Sequence, residues 1–219
     1  MVIFRFLASE LIAIIWKRLI KGSYSQKGED LYIDTLLDKK RNGFYVDIGA
    51  FDPNRFSNTK RFYLRGWRGI NIEPDSGNIG KFYKRRPLDI NLNIGIGTKK
   101  GKRLLYKFIP TSLSTFSLKE CRKNCKKGFK LVGKESVDVL PLSAVLKKHA
   151  RKIKIDFLSV DTEGLDLIVL RSNDWKLFRP RVICIESGRY KGAVNRFLLK
   201  KGYIEKYSND INSVYLDEK

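Results

Sequence analysis

Histidine is nearly absent from this sequence, cysteine is scarce, and acidic residues are heavily outnumbered. The one histidine, His149, sits beside Lys147, Lys148 and Arg151 on an expected helix face, where it reads as solvated rather than catalytic. Three cysteines, an odd number, argue against a disulfide framework. Cys121 and Cys125 are close in sequence, but no second Cys/His pair exists to complete a zinc tetrahedron. The thiols are therefore expected to be reduced, as in a cytoplasmic protein. The chain also lacks an uninterrupted apolar run of the ~20 residues needed to cross a bilayer. Its most apolar stretch, Val2 to Ile20, is broken by Arg5 and Glu10 and already carries Lys17 and Arg18. A small-x-small cleavage site is not expected after it, so a secretory signal is a poor fit. Residues 1–22 are expected to form an apolar and basic helix. It either lies on the inner face of an anionic membrane through residues 1–21 or packs on the domain or a second subunit.

What the chain has in excess is positive charge: 45 Lys and Arg against 23 Asp and Glu, a formal net charge of +22. Such a surface attracts polyanions, whether nucleic acid, anionic lipid or a phosphate-bearing substrate. No aromatic-interleaved RNA signature accompanies the charge, so nucleic acid is the lesser partner reading. A length of 219 residues, 42% of them hydrophobic, suits one globular domain with a sizeable core.

From Phe44 onward, short apolar runs alternate with helical stretches. The runs are Phe44–Ile48, Ile70–Ile72, Ile90–Ile96, Ile155–Val160 and Arg181–Glu186, with an extra strand over 102–108 and a short one over 137–139. Helices are expected near 59–64, 165–170 and 194–200, with Ser143 capping another. The final runs at 203–205 and 213–216 are joined by too short a turn for a crossover and should pair antiparallel. This is the pattern of an α/β fold with a mostly parallel sheet and helices on both faces. The domain is expected over residues 23–219, and within it the basic, weakly periodic segment around 110–136 reads as a long insertion, a functional lid or mobile segment.

In such a sheet, ligands bind beyond the carboxyl ends of the strands, where strand order reverses. Chemistry-bearing residues stand at those ends. Asp47-Ile48-Gly49-Ala50 supplies one glycine for a tight turn, not the G-x-G-x-x-G run that cradles a pyrophosphate. A nucleoside ligand carrying a carboxylate fits this shorter loop better than a dinucleotide. Glu73, about two dozen residues on, is placed to accept hydrogen bonds from ribose hydroxyls. Asp161-Thr162-Glu163-Gly164 ends the fourth run. Asp161 or Glu163 can serve as a base toward an acceptor hydroxyl. The competing reading of Asp161 is an N-cap, with Glu163 in the first helical turn. Glu186 can join Asp161 and Glu163 as an oxygen ligand set for a cation, but no local ligand spacing supports a metal site.

Taken together, Ser23-Tyr24-Ser25-Gln26-Lys27-Gly28-Glu29-Asp30, Phe44 to Ala50, Asn71-Ile72-Glu73-Pro74, Ile155 to Gly164 and Arg179 to Ile183 with Glu186 resemble the FkbM-type methyltransferases. The resemblance runs in order from about Ser23 to Glu186. It implies a class I methyltransferase (Rossmann-like) fold, S-adenosylmethionine as donor, and methylation of hydroxyls such as those of polyketides and bacterial glycans. By the same resemblance Asp47, Gly49, Ala50 and Glu73 line the donor site, Asn93 lies near the adenine, and Gln26, Glu29 and Asp30 close over it. Asp161 and Glu163 then face the methyl group and the acceptor. The chain departs from the family at Phe51-Asp52-Pro53 and at Ser143, and its lysine-rich stretch 119–134 is its own. The favoured acceptor is a saccharide or other hydroxyl-bearing molecule. The alternatives are an RNA methyltransferase and a non-catalytic glycan- or membrane-binding module on the same fold.

Overall fold

The computed structural model describes residues 22–186, 188 and 191–219, so the expected N-terminal helix lies outside the described residues. The chain begins with α1 (Glu29–Leu36), then alternates β1 (Phe44–Ile48), α2 (Lys60–Leu64), β2 (Arg68–Ile72), α3 (Ser76–Arg85) and β3 (Ile90–Leu92). A middle section follows: β4 (Gly95–Ile96), β5 (Gly101–Ile109), α4 (Leu118–Lys126) and β6 (Lys130–Leu140). The second half runs α5 (Leu142–His149), β7 (Phe157–Val160), α6 (Asp166–Arg171), β8 (Val182–Glu186), α7 (Lys191–Lys200), β9 (Tyr203–Ser208) and β10 (Asn212–Asp217).

Seven strands form one sheet in the order β3-β2-β1-β7-β8-β10-β9. The first five are parallel, whereas β10 runs antiparallel to both β8 and β9. This is the expected α/β architecture, including the antiparallel C-terminal pair. The central strands read as near-continuous apolar runs because both their faces are covered. Val46 and Ile48 of β1 pack with α5, α6 and α7 through Leu146, Val169 and Leu198. Tyr45, on the opposite face, packs with Ile33 of α1 and Phe62 of α2.

Three local expectations give way. The run Ile90–Ile96 divides: β3 stays in the main sheet, while β4 leaves it to pair with β6 in a second, three-stranded sheet. The segment 110–136 is not a bare loop. It holds a short 3-10 turn (Thr111–Leu113), all of α4 and the first half of β6, whose long antiparallel pairing with β5 supplies the tertiary support that weak local periodicity concealed. Ser143 is not a cap either, because α5 starts after Pro141. The free amides of its first turn are satisfied from a distance, with Leu142 N–H donating to Ser172 Oγ (3.1 Å) and Ser143 N–H to Ser172 O (3.1 Å).

Candidate functional site

Strand order reverses between β1 and β7, and the backbone just past the strand ends is laced together there. Gly49 N–H and Ala50 N–H both donate to Ile72 O, at 2.9 and 3.2 Å, and Asp161 N–H donates to Ile48 O at 2.9 Å. Gly49 has φ +76°, and a Cβ on it would lie 1.7 Å from the Asp161 carbonyl oxygen. The glycine is thus required by the close approach of the two strand ends as well as by its backbone angle. We expect Gly49→Ala to cost on the order of 3 kcal/mol or more, since strain and a backbone clash add. Urea unfolding of the two proteins measures the difference, and a cost below ~1 kcal/mol contradicts the packing described.

Above these ends lies a cleft of about 960 Å³ including its open mouth. Glu73 stands on one side, buried. Its Oε2 accepts from Phe51 N–H and its Oε1 from Asp75 N–H, both at 2.9 Å. One carboxylate therefore ties the loop after β1 to the loop after β2. Burial pushes its pKa up to about 7, against the backbone hydrogen bonds that favour its charged form. Asp47, also buried, accepts from Thr59 Oγ1 at 2.6 Å. Thr59 Oγ1 accepts in turn from the fully buried Arg86 guanidinium at 2.8 Å. The neighbouring wall is apolar, formed by Ile72, Pro74, Ile94, Leu105 and Phe116.

Asp161 and Glu163 line the other side. Glu163 is held at φ +51°, a left-handed conformation that costs a non-glycine residue, and its carbonyl oxygen accepts from Thr115 Oγ1 at 3.1 Å. Burial, then the nearby Glu186 and Asp166 charges, push the Glu163 carboxyl up to about 8. Burial and then the Asp166 charge push Glu186 up to about 7. Asp161 is raised well above the usual carboxylate range by burial and by Glu186 and Glu163. Like charges crowded in a poorly solvated site cannot all ionise, so the group retains protons near neutrality. The N-cap reading of Asp161 fails, because α6 begins only at Asp166. That acid, rather than Asp161, accepts from the Thr162 amide (2.8 Å) and hydroxyl (2.9 Å). Among the described residues, no group of three His, Cys, Asp or Glu side chains is arranged to hold a metal.

The cleft thus brings together Gln26, Asp47, Gly49, Ala50, Glu73, Asp161 and Glu163. Three other candidates stand behind it. Glu29 is buried and accepts from Asn209 and Asn212, both at 2.9 Å, joining α1 to the β9–β10 turn. Asp30 gathers the 23–25 segment, accepting from Ser23 Oγ, Ser25 Oγ and Tyr24 N–H. Asn93 is exposed and donates to the carbonyls of Glu73 (3.0 Å) and Pro74 (2.9 Å), steadying the strand end that carries Glu73. Sequence reasoning missed the contribution of 111–116, whose Thr111, Ser112, Ser114, Thr115 and Phe116 form one wall. The cluster of small hydroxyl residues after Pro110 was the available signal.

Residues 47–205 match the methyltransferase FkbM domain family. No match is found among curated proteins. Among solved structures, the METTL16 methyltransferase domain superposes with a TM-score of 0.50 at 11% identity, covering 97% of this chain and 80% of that one. The C-terminal domain of a precorrin-6Y C5,15-methyltransferase from Rhodobacter capsulatus gives a TM-score of 0.45 at 12% identity, covering 90% of each chain. At 11% identity the likeness to the METTL16 domain concerns the fold.

Proposed function

The chain belongs to the FkbM methyltransferase family and is an S-adenosylmethionine-dependent methyltransferase, and we propose that it methylates a hydroxyl oxygen of a saccharide or glycan. The observation that carries this reading is the pairing, across one cleft, of a nucleoside-type half with two acceptor-side carboxyls, Asp161 and Glu163, whose proton affinities are raised by burial and by the charge of Glu186 nearby.

The donor half fits the cofactor chemically. An ionised carboxylate has about four lone-pair sites, and backbone amides occupy two on Glu73, leaving acceptors for a ribose diol. The Ile94, Leu105 and Phe116 wall suits the flat face of a purine. Asp47, aimed by Thr59, and the Gly49 turn complete the set that would hold the remainder. When bound, S-adenosylmethionine supplies an electrophilic methyl carbon. The protein's own task is then to aim an acceptor oxygen along the line of displacement and to take its proton.

Glu163 is the proposed base. Its carboxyl, pushed up to about 8, is matched to an alcohol's proton far better than an ordinary glutamate is. Asp161, nearer the Gly49 turn, aligns the acceptor. Sugar rings present vicinal hydroxyls, which carboxylates and the Ser112, Ser114 and Thr115 hydroxyls are suited to receive. The test is transfer of labelled methyl from S-adenosylmethionine to a panel of saccharides, with single-stranded RNA as a parallel arm. Alkali-stable label on a sugar oxygen is the expected product. Asp161→Asn should lower kcat by about 100-fold with little change in affinity for S-adenosylhomocysteine. Label appearing only on RNA, or near wild-type turnover in the variant, defeats the assignment.

A further inference from the structure

We infer that the outer surface of the β5–α4–β6 module is a docking face for an anionic lipid bilayer, which sets the mouth of the cleft at the membrane surface. Only the placing of an acceptor at that surface rests on the function proposed above; the docking surface itself does not.

The inference begins with where exposed apolar groups collect. Leu104, Ile109, Leu118, Leu131 and Val132 are nearly half of the large apolar side chains exposed among the described residues, and all lie in this one module. They are interspersed with exposed Lys119, Arg122, Lys126, Lys127, Lys130 and Lys134. On α4 the division is sharp. Glu120, Cys121 and Asn124 turn inward, while Lys119, Arg122 and Lys126, at i, i+3 and i+7, form an outward stripe beside Leu118. Together with Lys123 and Lys127 they border a shallow depression. Among the described residues none of Lys119, Arg122, Lys126 or Lys127 has an acidic partner within ion-pair distance, whereas Lys123 is held by Glu120 at 2.9 Å.

The same module forms part of the site. Phe116 and Thr115 line the cleft just before α4, and a Cβ on Gly164, beside Glu163, would lie 3.2 Å from Glu120 Cγ. The inward face of α4 therefore abuts the acceptor side, and the stripe occupies the outward face of the same helix.

Lysine and arginine mixed with aliphatic side chains suit the boundary between lipid headgroups and acyl chains. Single-stranded nucleic acid instead calls for aromatic stacking platforms. The aromatic rings that flank these side chains, Tyr106 and Phe129, are half-buried rather than exposed, and Tyr106 is covered by Lys134, whose ammonium sits 5.6 Å from the ring centroid.

The test uses the full chain and sedimentation with vesicles of phosphatidylcholine alone or with ~30% phosphatidylglycerol. Basic residues near an anionic surface each contribute roughly fivefold to partition, so Lys119→Glu/Arg122→Glu/Lys126→Glu should lower binding to the anionic vesicles by about 100-fold or more. A control of equal charge change away from the module, Lys148→Glu/Arg151→Glu/Lys152→Glu, should lower it less than about tenfold. Leu131→Ser/Val132→Ser should weaken binding while leaving its salt dependence intact. Absence of wild-type binding to anionic vesicles, equal losses in both charge variants, or stripe-dependent binding to RNA in preference to vesicles would overturn the inference. Titration with S-adenosylhomocysteine separates the two proposals: stripe-dependent vesicle binding without donor binding leaves this surface standing and removes the donor site.

Discussion

Glu163→Gln is expected to lower kcat by about 100- to 10,000-fold while leaving affinity for S-adenosylhomocysteine within a few-fold of wild type. Glutamine keeps the size of the side chain and its hydrogen bonding but cannot take a proton. The wild-type pH profile should rise through about pH 8, where the Glu163 carboxyl loses its proton, and the residual activity of the variant should lack that rise. Stability should move in the opposite direction. A carboxyl whose folded pKa is raised binds more protons folded than unfolded. Its favourable contribution is therefore complete below pH 4.5 and is lost as pH climbs through about 8. Removing one member of the crowd should make the variant more stable than wild type at pH 8.5, by on the order of 2 kcal/mol, and near equal at pH 5. Such a variant, poorer in turnover and sturdier at high pH, would show a site built at the expense of stability. Equal turnover across the pH range removes Glu163 as base. A loss of stability at high pH would mean that the carboxyls of Glu163, Glu186 and Asp161 do not repel one another.

The residues of the main sheet were legible because strands covered on both faces must be apolar throughout, and each of the five runs ended at a polar or glycine residue that the topology could bring together. Gly49, Glu73 and Asp161 were readable for this reason: position at a strand end is a sequence property once the strands are identified. Of the β5–α4–β6 module only β5 and the end of β6 were legible, at 102–108 and 137–139; α4 and the first part of β6 were not, since β6 is stabilised by pairing with β5 rather than by its own pattern, and seven of its eleven residues are exposed. The roles of Glu29, Asp30 and Asn93 divided from those of their neighbours for a similar reason. Nothing in Gln26-Lys27-Gly28-Glu29-Asp30 shows that Gln26 reaches the cleft while Glu29 is taken up by asparagines about 180 residues away. The fully buried Arg86 was likewise hidden. It donates to the Pro53 carbonyl at 2.7 Å, Ser57 Oγ at 2.9 Å and Thr59 Oγ1 at 2.8 Å, and so braces the loop after β1 from beneath.

Glu73→Ala should weaken S-adenosylhomocysteine binding by about 100-fold or more, measured calorimetrically. Hydrogen bonds to a charged acceptor contribute about 1.5–3 kcal/mol each, and a diol makes two. Alanine also releases Phe51 N–H and Asp75 N–H, so part of its effect is a loosening of the two loops that Glu73 joins. Glu73→Gln separates these contributions. An amide has one acceptor oxygen and cannot satisfy both backbone donors and a diol as the carboxylate does. The pH dependence gives the sharper distinction. With its pKa at about 7, Glu73 is only partly ionised at neutrality, and ribose hydroxyls favour its charged form. Donor affinity should therefore rise with pH from 6 to 8 in the wild type, with release of a fraction of a proton on binding. In Glu73→Gln the affinity should be lower and this rise should disappear. If affinity in Glu73→Ala is unchanged, the carboxylate serves only to join the loops after β1 and β2, and the nucleoside must be held elsewhere in the cleft.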